Sequence, residues 1–257
     1  MAAKNGGKRY HFLDEVRGFA VLCMVFFHGF YLVGFLFDLE IGRRLYDFFL
    51  PAEPYFAGAF IFISGIACCL SRSNLKRGLK LAAVAVAINL LTWFAKYVGL
   101  DILIVFGILN LLAFCMLMAA PLLPLVKKIP PVLGLAVAAL LFALTAGIEE
   151  GYLGFGAARY EIPAAVRDIY PLYPLGIHNS QFASADYFPI FPWSFIFLGG
   201  MSTGVWAVRG KFPPFMSNQH IRPLSFVGRH ALPIYVLHQP ALYGICTAVS
   251  WIASFFR

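Results

Sequence analysis

Residues 16–37 read VRGFAVLCMVFFHGFYLVGFLF. The stretch carries a single full charge, Arg17 at its N-terminal edge. Its length is what a helix needs to cross a hydrocarbon core of about 30 Å, since each residue rises about 1.5 Å. One such run could be the buried helix of a large soluble protein, so the rest of the chain decides. Of 257 residues, 61% are hydrophobic and 12% charged, with 27 Phe and a mean hydropathy of +0.78. Soluble domains hold about half and about a quarter respectively, which excludes a soluble enzyme. A β-barrel would alternate over strands of about ten residues, whereas these apolar runs are continuous and broken by basic or Pro/Gly-rich segments. The reading is all-α: a polytopic membrane helical bundle.

Seven spans are predicted, at about Val16–Phe37, Tyr55–Leu70, Leu79–Tyr97, Ile102–Leu123, Val132–Ile148, Phe188–Val208 and Ala231–Phe255. Pro51 and Pro54 predict a kink through which the short second span extends toward its N-terminus, and Pro121, Pro124, Lys127, Lys128, Pro130 and Pro131 separate the fourth from the fifth. The first run lacks a small-residue cleavage site and is kept as a helix rather than a signal peptide. Residues 1–257 are expected to form a single membrane domain, with residues 149–187 as an outer cap loop.

One side of the membrane takes Lys4, Lys8, Arg9, Arg17, Arg72, Lys76, Arg77, Lys80, Lys127, Lys128, Arg209, Lys211, Arg222 and Arg229 against only Asp14 and Glu15. The other side takes Arg43, Arg44, Lys96, Arg159, Arg167 and Arg257 against the remaining acids, Asp101 among them. The positive-inside rule then places the N-terminus in the cytoplasm. The excess of +8 is explained by topology and anionic lipid and gives no support to nucleic-acid binding. The five cysteines all fall in apolar runs without metal-ligand spacing, and no metal is expected.

Ionisable groups inside a span are costly and point to function. His28 stands eleven residues beyond Arg17, about 16 Å along the helix. Eleven steps of about 100° return it to the stripe of Asp14, Arg17, Val21 and Met24. His238 stands eight residues beyond His230, about 12 Å in from the cytoplasmic edge and so at a comparable depth. Two facing imidazoles beneath a basic rim suggest a polar cavity reached from the cytosol, with a neutral histidine able to take a proton. The plainer reading is a pair of interhelical hydrogen bonds. Arg17 and Arg229 would equally serve as snorkelling anchors. Asn89, Thr92 and Asn110 read as interhelical glue. Asp186, ahead of Tyr187–Trp193, would either bind a polar substrate at the outer mouth or cap the sixth helix.

The order of motifs resembles the DUF1624 family, bacterial relatives of the heparan-alpha-glucosaminide N-acetyltransferase catalytic domain. The opening block runs from Arg9-Tyr10 through Leu13-Asp14-Glu15-Val16-Arg17-Gly18-Phe19-Ala20 to Met24 and His28. Four more follow: Phe60–Ile66, Lys76–Lys80, Ala185–Trp193, and Phe226-Val227-Gly228-Arg229-His230 leading to Ile234–Pro240. The wider acyltransferase-3 group is similar at the same places. The resemblance implies an acyl-CoA-dependent O- or N-acetyltransferase. An acetyl (acyl) group would pass from cytosolic acetyl-CoA to a hydroxyl or amine of a saccharide-type acceptor on the outer side, in a bacterial inner membrane. It also raises Arg17 and His28 above their plainer readings.

Two departures are visible. Asn110 and Ala231 stand where relatives commonly carry His and Ser, which puts activity in question. The lysosomal branch uses a histidine in the first outer loop as an acetyl carrier, and residues 38–54 contain none, which favours direct transfer. The expected site therefore comprises His28, His238 and Tyr235 for catalysis, Arg17, Arg229, Arg77 and Lys80 for acyl-CoA, and Asp186 and Trp193 for the acceptor. The expected partners are acyl-CoA, the acceptor and the lipid bilayer, with a homo-oligomer admitted. Two rivals stand beside this reading. One is a b-type haem protein with His28 and His238 as axial ligands. The other is a small-molecule transporter, against which the lack of internal repeats and mid-membrane carboxylates argues.

Overall fold

The computed structural model describes residues 9–99 and 102–255; Lys4, Lys8, Asp101 and Arg257 of the charge asymmetry lie outside them. In chain order the helices are α1 (His11–Tyr31), α2 (Glu40–Phe49), α3 (Glu53–Leu70), α4 (Asn74–Tyr97), α5 (Ile108–Val126) and α6 (Pro131–Thr145). A hairpin of β1 (Tyr152–Phe155) and β2 (Ala158–Glu161) follows, with Leu153 opposite Tyr160. Then come α7 (Ala164–Arg167), α8 (Ile190–Val208), α9 (Arg222–Arg229) and α10 (Ala231–Ser254).

Among the described residues, five helical stretches are long and apolar enough to cross a membrane: His11–Leu36, Glu40–Leu70, Asn74–Tyr97, Ile108–Val126 and Ile190–Val208. This is a helical membrane protein. The predicted fifth span corresponds to α6, apolar but only 15 residues long, and the seventh to α10. The predicted kink is present: α2 and a 3₁₀ turn over Leu50–Ala52 lead into α3 around Pro51 and Pro54.

Several boundaries differ from the sequence reading: α1 and α4 each begin five residues earlier, at His11 and Asn74 rather than Val16 and Leu79, α6 ends at Thr145 rather than Ile148, and the fourth span differs at both ends. The fourth span begins at Ile108 rather than Ile102, because residues 103–106 pair as extended chain with residues 185–188. Ala185 N–H donates to Leu103 C=O at 2.8 Å and Phe188 N–H to Phe106 C=O at 3.1 Å. Ile102, Ile104 and Val105 suit that conformation, and an apolar run alone does not tell strand from helix. At the other end, α5 continues through Pro121 and Pro124 to Val126, as membrane helices tolerate when neighbours re-satisfy the freed carbonyls.

The chain forms two compact units, 1–60 with 212–257 and 61–211, the boundary falling inside α3. In the first, α1 and α9 cross at Gly18 and Gly228. A Cβ at Gly18 would run into Leu224 C=O, and one at Gly228 into Asp14 C=O. In the second, α3 and α8 meet the same way, with Gly65 against Phe197 C=O and Gly200 against Phe62 C=O. Between membrane helices the lipid offers no hydrophobic drive, so backbone approach through small residues supplies the packing. Around that crossing Ile61, Cys68, Met201 and Val205 are fully buried.

Gly200→Val should therefore force the α3 and α8 backbones apart at a cost of about 1–3 kcal/mol. Thermal denaturation of the detergent-purified protein will show it as a lowered Tm. An unchanged Tm would contradict this helix crossing.

Candidate active site

The first unit brings the two deep histidines into contact. His28 on α1 and His238 on α10 lie with Nδ1 of the former 2.7 Å from Nε2 of the latter, ring centroids 4.9 Å apart and planes inclined by 25°. His238 is buried and His28 partly so. Nδ1 of His238 lies 2.6 Å from Tyr235 C=O, one turn back in its own helix. Gln239 reaches His28 Nδ1 at 3.3 Å.

Both helices are irregular beside this pair. Four residues beyond His28 the chain widens into a π-helical turn, Leu32–Leu36, a distortion frequent at functional sites. Two residues beyond His238, Pro240 cannot donate to Val236 C=O, which loosens α10 there. Gly29 faces α10 without being needed for its approach: a Cβ there would make ordinary contact with Leu242 Cδ2 at 3.7 Å.

The spacing bears on the haem alternative. Trans imidazoles on one metal ion stand about 4 Å apart, two bonds of about 2 Å. The two nitrogens here are joined directly, as a hydrogen-bonded couple.

The N-terminal end of α1 carries a charge cluster. Asp14 accepts from Arg9 Nε at 3.0 Å and Nη2 at 2.8 Å, and from Arg17 Nη1 at 3.3 Å. Two guanidiniums thus converge on one carboxylate. Arg17 adjoins Gly18 and Arg229 adjoins Gly228, so the glycine crossing brings the two helix positions to one region. Arg229 is exposed and donates from Nε to Ser225 C=O at 3.1 Å.

Sequence reasoning missed what holds α9 in place. The buried Glu15 carboxylate accepts from His220 N–H at 2.7 Å, Ile221 N–H at 2.9 Å and Ser225 Oγ–H at 3.1 Å. It is an N-terminal cap for α9 supplied by α1, where the helix dipole favours an anion. Counted only as a charge in the topology sum, Glu15 gave no local signal of this, because its partners lie some 205 positions away.

The remaining candidates lie in the second unit. Arg77 is exposed and donates to Ala67 C=O at 3.4 Å, helping Asn74 cover the C-terminal carbonyls of α3; Lys80 is exposed. Trp193 packs edge-on against Phe188, centroids 5.0 Å apart. Asp186 does cap a helix, but α5 rather than the predicted sixth span: its Oδ2 accepts from Ile108 N–H at 3.2 Å. Asn110 completes that cap, its Oδ1 accepting from Gly107 N–H at 3.1 Å. Asn89 and Thr92 hold the 104–105 backbone rather than a neighbouring helix.

In the cap loop Tyr173, His178, Phe182 and Tyr187 form an aromatic cluster, and Tyr187 OH donates to Tyr173 C=O at 2.6 Å. Burial, reinforced by Glu149, pushes the Tyr187 phenol well above its usual range, so it remains a donor throughout the physiological pH range. Among the described residues no group of three or more His, Cys, Asp or Glu is arranged to hold a metal ion.

Glu15→Ala should strand two backbone N–H groups at the start of α9, at about 1–3 kcal/mol each. The expected result is a lowered Tm with new protease cleavage between residues 212 and 222, while Glu15→Gln retains most of the protection. A Glu15→Ala protein that melts like the wild type would contradict the cap.

No curated protein and no solved structure matches the chain. The family model for the heparan-alpha-glucosaminide N-acetyltransferase catalytic domain matches residues 9–240, which takes in α1 with His28, both glycine crossings, the α5 cap and α10 as far as Pro240. The chain therefore belongs to the heparan-alpha-glucosaminide N-acetyltransferase catalytic family of membrane acetyltransferases.

Proposed function

We propose that this protein transfers an acetyl (acyl) group from cytosolic acetyl-CoA to a hydroxyl or amine of a saccharide-type acceptor on the outer face of a bacterial inner membrane. The observation that carries the reading is the hydrogen-bonded His28–His238 pair within the family's matched region. A buried imidazole couple in apolar surroundings is a costly feature, and its best use is to move a proton.

In this mechanism the CoA phosphates meet Arg17 and Arg229 at the cytoplasmic end, through charge-assisted contacts that suit guanidinium forks. Arg77 and Lys80 are assigned the same anionic partner. His28 removes the proton as the acceptor heteroatom bonds to the thioester carbonyl carbon. The tetrahedral oxyanion then collapses, the C–S bond breaks, and the CoA thiolate recovers the proton from His28. Asp186 and Trp193 are the residues proposed to order the acceptor, the former beyond its capping bond to α5. With no histidine in residues 38–54, transfer is direct.

General base catalysis is worth about 100- to 10,000-fold. His28→Ala should lose that factor in acetyl-CoA turnover in proteoliposomes while purifying in normal yield, and full activity in this variant would overturn the assignment. Arg17→Ala should reduce the thermal stabilisation that acetyl-CoA confers on the detergent-purified protein. Equal stabilisation of Arg17→Ala and wild type would remove Arg17 from the donor site.

A further inference from the structure

The distances around the histidine pair leave few places for the protons. A backbone carbonyl only accepts, so the 2.6 Å contact between His238 Nδ1 and Tyr235 C=O requires a proton on that Nδ1. In the neutral ring Nε2 of His238 then has only its lone pair. The 2.7 Å contact to His28 must therefore be filled by a proton on His28 Nδ1. Both links hold a proton in this arrangement alone; exchanging either tautomer sets two lone pairs or two protons face to face. The Gln239 amide nitrogen Nε2 stands 3.3 Å from the same Nδ1; an amide nitrogen only donates, so this tautomer requires the amide turned over, with Oε1 toward the ring.

We infer that His28 is held as its Nδ1–H tautomer with the basic lone pair on Nε2, and that His238 is the positioning residue that fixes this tautomer and takes up charge during transfer. The chain runs from Tyr235 C=O through His238 to His28 and ends in a lone pair. For its catalytic meaning the inference rests on the acyltransferase reading; the tautomer itself does not.

As His28 Nε2 accepts the acceptor's proton, the Nδ1 proton passes to His238 Nε2. The positive charge then sits on His238, where Tyr235 C=O opposes it. When the C–S bond breaks, His28 Nε2–H donates to the thiolate and the Nδ1 proton returns. The sum is acyl-S-CoA plus H–X giving acyl-X plus HS-CoA, with the pair restored. The Tyr235 contribution in this chain is its carbonyl. Its ring centroid lies 5.6 Å from that of His238.

The test is long-range ¹H–¹⁵N correlation NMR on the full-length protein, labelled with ¹⁵N-histidine and held in nanodiscs. One resonance pair, absent from His28→Ala, should show Nδ1 protonated and Nε2 bare. An Nε2–H tautomer at His28 would overturn the inference. His238→Gln supplies an amide oxygen that accepts the Nδ1 proton but cannot carry it away. It should keep the tautomer and the KM for acetyl-CoA while kcat falls about tenfold or more. An unchanged kcat would refute the charge-accepting role. If the tautomer is found but wild-type protein transfers no acetyl group, the acyltransferase reading fails and the assignment of protons stands.

Discussion

Inside a bilayer no water is at hand to satisfy a polar side chain, so each must find its partner within the protein. The bond between His28 and His238 answers that constraint in the first unit. Each imidazole gives the other a reason to be there, and the Tyr235 carbonyl, one turn back in α10, ends the series on a backbone acceptor. Removing one ring strands the other, which is why the pair is better described as one unit than as two residues.

The supports around the pair are of two kinds. Gly18 and Gly228 let α9 lie directly on α1, and Glu15 holds the start of α9 through three donors. These contacts set the Arg17 and Arg229 positions at the N-terminal end of the helix that carries His28. The second unit uses the same devices for other ends: Gly65 and Gly200 at the α3–α8 crossing, and Asp186 with Asn110 at the start of α5. Asn110 is thus a working cap residue.

Membrane helices were legible because lipid demands long apolar runs, and the matched depth of His28 and His238 followed from counting residues along two helices. What stayed hidden involved partners distant in sequence. An ionised Glu15 near a helix start reads as topology until α9 is seen lying across it. Asp186 pointed toward the helix that follows it in the chain, yet the pairing of residues 103–106 with 185–188 delivers it to α5. That pairing also explains why an apolar run at Ile102 does not begin a helix. Gln239 follows the second histidine immediately, and a helix turns adjacent residues about 100° apart, so only the close approach of α1 and α10 reveals its contact with His28.

The account makes one imidazole nitrogen the place where a cytosolic thioester and an outer acceptor meet. A base must lie about 3 Å from the heteroatom it deprotonates, and that atom about 3–3.5 Å from the carbonyl carbon it attacks. A cryo-EM structure of the protein with acetyl-CoA bound measures this directly. The account predicts the thioester carbonyl carbon within about 6 Å of His28 Nε2. An acetyl group seated elsewhere, with His28 Nε2 closed off by packed side chains, would contradict it.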